Sequence, residues 1–426
     1  MKNIIKFGVP IILLLGIYIS GIYLFDSPSD VVVGLYNGDK KEIDTSNTLA
    51  IMYENDNGEY VESTSSNWLG DGYIFNESLS KCKNGSKIYY DSATKKVMVE
   101  ANTNDRCYVY FDAYSPNFVE YLLENIYVSD GVNGLYYHDG VGPYTNADQE
   151  AGDNSYRYSG ANPNNYVCFG SDADTCPDEY LYRIVGVFDD DKDGVYNVKL
   201  IKADYTTSDM LGTDGNYYGG NDYTFSYYKG SMNSNEVAAY RWNYDTSEYE
   251  SNYWATSELN KINLNTNYIN YLGSSWSNMI KDSTWYLGTF TYDEFDNYTV
   301  KQFYNGERNN GGYGSNPTTY NAKIGLIYVS EFGYASDVND WNLMMSNYFY
   351  VDEYSGNNWL YMGLYEWTIT SISTSYSNIV IDLSNKGGLN ASAVDGGFSV
   401  RPVFYLKSNI SYVEGNGTKD SPFRIN

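Results

Sequence analysis

The clearest chemical signal in this chain is the run from Asp189 to Gly194, DDDKDG. Carboxylates at alternate positions, Asp189, Asp191 and Asp193, followed by glycine match the first half of a calcium loop. The twelfth position holds Leu200 instead of the bidentate glutamate that completes such a loop. The sequence predicts at most weak calcium binding, with a Kd of about 10⁻⁴ to 10⁻³ M. A metal-free hairpin tip ending in Asp-Gly is the competing interpretation, and the missing glutamate favours it.

The four cysteines, Cys82, Cys107, Cys168 and Cys176, fall into two local pairs. Four cysteines allow three connectivities, and pairing of nearest neighbours is the simplest. On the chain-entropy estimate, a Cys82–Cys107 bridge adds about 3.5 kcal/mol and a Cys168–Cys176 bridge about 2.6 kcal/mol of stability. Zinc binding is disfavoured because the chain has no C-x-x-C motif and a single histidine. The cysteines therefore predict two disulfides and an oxidising compartment.

Catalysis by a Ser/His/Asp or Cys/His arrangement needs a histidine that the tertiary structure positions. The only histidine, His138, lies in the turn-like run Tyr-Tyr-His-Asp-Gly, which predicts an exposed loop residue. Hydrolysis by paired carboxylates stays open, because 54 acidic residues allow many pairs and no motif selects one. The sequence therefore predicts a protein without catalytic residues, and without a cofactor apart from weakly bound Ca²⁺.

The N-terminal segment determines the predicted compartment. Residues 7–25 (FGVPIILLLGIYISGIYLF) contain no charged residue and are about long enough to cross a bilayer as one helix. Two lysines precede the segment and two aspartates follow it, so the tail 1–6 is expected in the cytoplasm and the remaining chain outside. A cleaved signal peptide is the alternative, but bulky residues stand where a cleavage site needs small ones. Both interpretations place the rest of the chain outside the cell.

Composition limits the classes of partner. The net charge is −27, from 54 Asp and Glu against 27 Lys and Arg. Such a surface repels phosphate backbones and anionic headgroups, so we expect no nucleic-acid partner. The 50 tyrosines have two explanations, a codon bias toward Tyr and Asn, or a binding surface that uses rigid aromatic contacts.

Hydrophobic patterning predicts two outer domains. Residues 31–114 are expected to form a small all-β, sandwich-like domain, with strands at 31–36, 48–53, 86–90, 96–100 and 107–111. Residues 115–134 are expected to be a linker with a short helix at 118–126. Residues 135–426 combine a helical region at 255–280, divided at Gly273, with strands at 181–188, 195–201, 322–330, 365–371, 378–383 and 398–406. This order predicts an α+β fold.

The order of these segments also carries a resemblance. The runs LYRIVGVF, VKLIKADY, WATSELN, AKIGLIYVSEFGYA, WLYMGLYEWTIT and VRPVFYLKS resemble a family of uncharacterised surface proteins from low-GC, largely gut-dwelling Firmicutes and their relatives. The outer domain of that family is similar to the C-type-lectin-like fold of formylglycine-generating-enzyme-type domains. The resemblance covers about residues 135 to 426 and implies a structural role for Arg401. The cysteines do not match the catalytic pair of those enzymes, so that activity is not implied.

The lectin-like fold implies where a ligand would lie. Its ligands meet the loops before the final strands, which vary while the scaffold stays packed. Here that region is 352–397, next to the expected core residue Trp367, and the predicted ligand residues are Tyr354, Asn357, Asn358, Tyr376 and Asn378. Aromatic faces stack on sugars or side chains, and amides supply donors and acceptors. The alternative is that these are ordinary polar loop residues.

Together these features predict a membrane-anchored bacterial surface protein that binds a glycan or a host or cell-surface protein. The alternatives are an extracellular glycan hydrolase with paired carboxylates and a structural subunit of the envelope.

Overall fold

The computed structural model describes residues 48–426 except 56, 64–72, 92–95, 101–104, 115, 128–132, 143–146, 221–227, 232–235, 245–250, 293–294, 313, 315, 346–356 and 374–376. The predicted tail (1–6), anchor (7–25) and first strand (31–36) lie outside the described residues. Among the helices that are described, none is both long enough and apolar enough to span a bilayer.

The chain divides into two compact units between Pro116 and Asn117. The described part of the first unit consists of strands, namely β1 (Thr48–Glu54), β2 (Tyr60–Glu62), β3 (Tyr73–Cys82), β4 (Lys87–Asp91), β5 (Lys96–Glu100) and β6 (Arg106–Ala113). Four of them form a sheet in the order β2-β1-β6-β3, and β4 pairs with β5 as a separate hairpin.

Among the described residues of the first unit, the buried core is small. It consists of Leu49 on β1 and of Cys107, Val109 and Phe111, which alternate along β6 as expected for a sheet with one buried face. Cys82 and Cys107 are direct partners across the β3–β6 pair, and they form a disulfide. Cys168 and Cys176 form the second disulfide, so both predicted pairs are confirmed.

The second unit is mixed α+β, as predicted. Its helices are α1 (Phe118–Tyr121), α2 (Ser208–Leu211), α3 (Ile269–Ser277), α4 (Val300–Asn309) and α5 (Val329–Tyr334). Two π-helical segments, Leu122–Ile126 and Leu259–Tyr268, continue α1 and precede α3. Short 3-10 turns lie at Ala147–Gln149, Asp178–Tyr180, Phe295–Asn297 and Val338–Asp340. The helix at 118–126, expected in a linker, packs into this unit, where Phe118 contacts Phe423.

The strands of the second unit follow in chain order. They are β7 (Gly134–His138), β8 (Ser155–Ser159), β9 (Tyr166–Cys168), β10 (Leu181–Phe188), β11 (Asn197–Lys202), β12 (Tyr217–Gly220), β13 (Ala238–Tyr240), β14 (Ser283–Tyr286) and β15 (Thr289–Thr291). The remaining strands are β16 (Thr319–Ala322), β17 (Ile324–Gly325), β18 (Glu366–Ser373), β19 (Ile379–Leu383), β20 (Leu389–Ala393), β21 (Phe398–Ser399), β22 (Val403–Tyr405), β23 (Tyr412–Glu414) and β24 (Arg424–Ile425).

Two seven-stranded sheets organise this unit. The first has the order β17-β22-β11-β10-β8-β7, with β9 beside β10, and the second has the order β12-β13-β21-β18-β19-β20, with β15 beside β18. Every residue of β10 and β11 is buried, which explains the nearly continuous apolar run of β10. Gly186 in β10 lies so close to β8 that a Cβ there would stand 2.2 Å from the Tyr156 carbonyl oxygen.

Two sequence predictions meet different outcomes here. Gly273 divides the helical region 255–280 as predicted, because it has a φ of 74° within α3. The predicted strand 322–330 is wrong at its C-terminal end, where α5 begins at Val329. The Glu331 carboxylate accepts a hydrogen bond from the Tyr328 N–H and so caps the start of that helix.

A buried ion pair joins the two sheets. Arg401 lies in the bend between β21 of the second sheet and β22 of the first, and its guanidinium donates from Nε and Nη2 to the two carboxylate oxygens of Glu366 at 2.9 and 2.8 Å. Glu366 begins β18. Nη2 also donates to the Leu360 carbonyl at 2.6 Å, which fixes the segment that precedes β18.

A second buried ion pair attaches α5 to the first sheet. Lys199 on β11 donates to Glu331 on α5 at 2.5 Å, and neither side chain has any exposed surface. The Lys199 ammonium lies 4.8 to 4.9 Å from the ring centroids of Trp285, Tyr328 and Tyr405. The rings and the carboxylate together replace the water that a lysine ammonium normally binds.

We expect the disulfide to matter most in the first unit, because its core is small. Replacing both Cys82 and Cys107 by Ala should lower its free energy of unfolding by about 3.5 kcal/mol on the chain-entropy estimate. Urea denaturation followed by circular dichroism measures this. The matched control, Ala at both Cys168 and Cys176, should cost about 2.6 kcal/mol. An unchanged denaturation midpoint in the first double variant would contradict the expectation.

Removing one member of the Lys199–Glu331 pair should be strongly destabilising. Glu331→Gln leaves a buried ammonium without a counter-ion and should lower the free energy of unfolding by about 3–5 kcal/mol, whereas Lys199→Met combined with Glu331→Leu should recover most of the loss. The control is Asp178→Asn, which breaks the half-exposed Lys419–Asp178 pair and should cost at most about 1 kcal/mol. Equal effects of Glu331→Gln and Asp178→Asn on urea denaturation would show that the buried pair has no special role.

Candidate functional site

A polar cavity of about 200 Å³ lies at one edge of the first sheet of the second unit. It forms where β9 and β10 meet three loop segments, at residues 161–162, 229–231 and 358–362. We call it the Arg183 cavity, and its principal wall residues are Tyr166, Arg183, Lys229, Asn358, Trp359 and Lys419.

Backbone pairing positions the aromatic and cationic walls. Tyr166 on β9 is the direct partner of Arg183 on β10. Trp359 is held by two hydrogen bonds, from its backbone N–H to the Gly160 carbonyl at 3.1 Å and from its indole Nε1 to the Tyr158 carbonyl at 2.9 Å. The ring centroids of Tyr166 and Trp359 each lie 4.5 Å from Cζ of Arg183. The guanidinium is therefore packed against two rings.

Arg183 is buried and is hydrogen-bonded to neutral oxygens only. Its Nε donates to Asn165 Oδ1 at 2.7 Å, Nη1 to the Trp359 carbonyl at 3.3 Å and Nη2 to the Pro163 carbonyl at 3.0 Å. Among the described residues, no carboxylate lies within ion-pair distance of this guanidinium. Burial lowers the pKa of Arg183 to about 10, and the charge of Arg401 acts in the same direction.

Other charged side chains complete the wall. Lys229 lies 4.5 Å from the ring centroid of Tyr361, and burial lowers the pKa of its ammonium. Asp204 is held by donors, since its carboxylate accepts from the Tyr205 and Ser231 N–H groups and from the Tyr228 hydroxyl. The wall thus offers positive charge toward the cavity, while its Asp204 carboxylate is already hydrogen-bonded.

A second cavity of about 350 Å³ adjoins the first. The two cavities share Asp178, Leu181 and Lys419 as wall residues. Lys419 and Asp178 form an ion pair of 3.5 Å, and about half of each side chain is exposed. This exposed ion pair therefore forms part of the wall of both cavities.

The predicted ligand residues have different positions in the structure. Asn358 lines the Arg183 cavity, but its amide holds the backbone, donating to the Phe332 carbonyl at 2.7 Å and accepting from the Leu360 N–H at 2.9 Å. Asn357 is exposed, and Asn378 is half-buried; neither lines this cavity. Tyr354 and Tyr376 lie outside the described residues. Of the three predicted residues that are described, the structure brings one to the cavity.

Arg183, which lines the cavity, was not among the ligand residues predicted from the sequence. Arg183 is the only charged residue in the apolar strand LYRIVGVF, and every residue of that strand is buried. A charge in the middle of a buried strand requires a partner or a function. That signal was present in the sequence, but the segments that complete the cavity are far apart along the chain.

The aspartate run forms the tip of the β10–β11 hairpin. Asp189 accepts hydrogen bonds from the Asp193 and Gly194 N–H groups, at 3.0 and 3.1 Å. Lys281 donates to Asp190 and Asp191, each at 2.8 Å. A lysine ammonium therefore lies among carboxylates of this run, and the calcium prediction remains a prediction. The geometry favours the metal-free hairpin tip.

Among the described residues, one group of three sulfur and carboxylate ligand atoms lies close enough to hold a metal, at Cys82, Asp105 and Cys107. The two sulfurs are bonded to each other as a disulfide. Asp105 accepts hydrogen bonds from the N–H groups of Asn84, Ser86 and Arg106. This group therefore stabilises the first unit through a disulfide and backbone hydrogen bonds, and its sulfurs are not available to a metal.

The expectation that His138 is an exposed loop residue is wrong. His138 ends β7, is fully buried, and packs against the rings of Tyr334 and Trp341. Its Nδ1 accepts a hydrogen bond from the Ala151 N–H, and burial lowers its pKa well below the usual value. Burial raises the pKa of Glu150 and of Asp382 to about 7, but neither carboxylate lines the Arg183 cavity.

No protein-family model, no curated protein and no solved structure matches this chain.

The calcium prediction can be tested at the hairpin tip. Calcium must compete with Lys281, so we expect wild-type affinity no tighter than about 10⁻³ M. Lys281→Met should tighten binding, because it leaves the Asp190 and Asp191 carboxylates without their cation. Calorimetric titration with millimolar calcium measures both affinities, with Lys386→Met, an exposed lysine elsewhere, as the control. No heat from either protein would leave the metal-free tip as the explanation.

Proposed function

We propose that this protein is a membrane-anchored bacterial surface protein whose second unit binds a ligand in the Arg183 cavity without catalysing a reaction. The observation that carries the proposal is the cavity itself, a concave polar site with a buried guanidinium on its wall. Ligand sites are typically concave and carry polar groups at fixed positions, which orient the ligand.

The charged groups at the cavity support binding over hydrolysis. A glycosidase needs one carboxyl group able to give a proton and a second one free to act as nucleophile or base. The acidic residues on this wall are Asp178, which pairs with Lys419, and Asp204, which accepts three hydrogen bonds. Both are engaged in structural contacts, so the hydrolase alternative has less support.

The C-type-lectin-like fold remains part of the proposal. The return of the chain end to an early strand supports it, because β22 pairs with β11 across the centre of the first sheet. The adjoining contact between Asn197 and the Leu406 carbonyl spans a sequence separation of 209 residues. In the proposed arrangement the first unit is a spacer between the anchor at 7–25 and the binding unit.

The extracellular location is supported by two disulfides, which persist in oxidising compartments. The net charge of −27 disfavours nucleic acid as the ligand, so the proposed ligand classes are a glycan and a host or cell-surface protein.

Filling the cavity should abolish binding. Ala161 is exposed on the cavity wall, and Ala161→Trp should occupy the space without removing a charged group. The full chain in detergent is probed against glycan and extracellular-matrix arrays, and signals that depend on the cavity should fall at least about tenfold, or about 1.4 kcal/mol.

The control is Ala113→Trp, at an exposed position of the first unit. It should leave every signal unchanged. Array signals that survive Ala161→Trp at full strength would show that the ligand binds elsewhere.

A further inference from the structure

Arg183 differs from three other arginines of the second unit that have carboxylate partners. Arg157 pairs with Asp153, Arg308 with Glu307 and Arg401 with Glu366. Arg183 is only 6 % exposed and has no carboxylate within ion-pair distance among the described residues. A buried charge is stable only when other groups compensate it, and here two aromatic rings and three neutral oxygens do so. An anion in the cavity would add the counter-charge that the described chain does not supply.

The hydrogen-bonding capacity of Arg183 is also incomplete. A guanidinium has five N–H groups, and three of them donate to neutral oxygens of Asn165, Trp359 and Pro163. One N–H on each Nη therefore has no acceptor among the described residues. A planar guanidinium with a donor on each Nη can bind the two oxygens of a carboxylate.

The remaining wall determines the kind of anion. Lys229 and Lys419 add positive charge, whereas Asp178 and Asp204 add negative charge on the same wall, so the wall with Arg183 carries one net positive charge. Repulsion from these two carboxylates penalises a dianion such as phosphate more than a singly charged carboxylate. The wall charges therefore favour a carboxylate.

The size and lining favour an acidic sugar. The cavity, at about 200 Å³, is smaller than the ~300–1,000 Å³ of most small-molecule pockets, so it suits one terminal residue of a longer ligand. Its wall carries polar groups on several sides, such as Asn162, Asp178 and Ser231. Sugar hydroxyls can use these partners, whereas an apolar side chain at a peptide C-terminus cannot. The adjoining cavity, which shares the wall residues Asp178, Leu181 and Lys419, offers space for the next residue of a glycan.

We propose that the Arg183 cavity binds the carboxylate of an acidic sugar at the end of a glycan, with Arg183 as its counter-ion and Lys229 beside it. The inference rests on the proposed ligand-binding function and names the class of ligand. Arg183 and Lys229 are then the residues that select a charged sugar over a neutral one.

The test uses the full chain in detergent and saturation-transfer NMR titrations with D-glucuronate, D-glucose and N-acetyl-alanine, and inorganic phosphate is measured as a competitor of the glucuronate signal. Glucuronate should bind at least about tenfold more tightly than glucose. Arg183→Lys keeps the charge but loses the paired donors, and it should weaken glucuronate binding about tenfold. Its control is Arg241→Lys, an arginine outside the cavity.

Because Arg183 is buried, replacing it can also disturb folding. A second variant therefore changes a different cavity residue. Lys229→Glu reverses an exposed charge on the wall and should abolish glucuronate binding, while Lys261→Glu makes the same charge change at an exposed residue that does not line the cavity and should not. Equal binding of glucuronate and glucose, or unchanged glucuronate binding in folded Lys229→Glu, would overturn the proposal. Tighter binding of N-acetyl-alanine would indicate a peptide C-terminus instead, and tighter binding of phosphate would exclude a carboxylate site.

The result separates the two levels of proposal. Array binding of a neutral ligand that is lost in Ala161→Trp, together with no glucuronate binding, would retain the binding function and reject the acidic sugar. If no ligand depends on the cavity, the proposed function itself fails.

Discussion

The contact between Arg401 and Glu366 connects parts of the second unit that no continuous strand joins. Arg401 lies where the chain passes from one sheet to the other, and its guanidinium bonds the start of β18 and the carbonyl of Leu360. Leu360 belongs to the same short segment as Asn358 and Trp359, which form one wall of the Arg183 cavity. The packing of the sheets and the shape of the cavity therefore depend on the same guanidinium.

The structure gives several of the tyrosines a role that composition alone did not predict. Several tyrosine rings face cations in the second unit. Tyr328 and Tyr405 face Lys199, and the ring centroid of Tyr304 lies 3.9 Å from Cζ of Arg308. A ring face attracts a cation where water is excluded. The interior of this unit thus accommodates charged side chains by surrounding them with aromatic rings as well as carboxylates.

Local patterns predicted local structure well. The strand at 181–188 and the break at Gly273 follow from apolar runs and from glycine, which act over a few residues. The helix at Val329 was missed because its cap comes from Glu331, a residue that also pairs with Lys199 on a distant strand. The cavity was missed for the same reason: a charged residue in a strand is visible in sequence, but the segments that surround it meet only in the folded chain.

The parallel pairing of β1 with β6 has a mechanical consequence. The first and last strands described in the first unit lie side by side and point the same way, from Thr48 beside Arg106 to Tyr53 beside Phe111. Tension applied to the two ends of this unit pulls the strands past each other, so their hydrogen bonds bear the load together instead of breaking one after another. The Cys82–Cys107 bond also keeps the intervening chain from extending. A pair of strands built in this way transmits force with little lengthening.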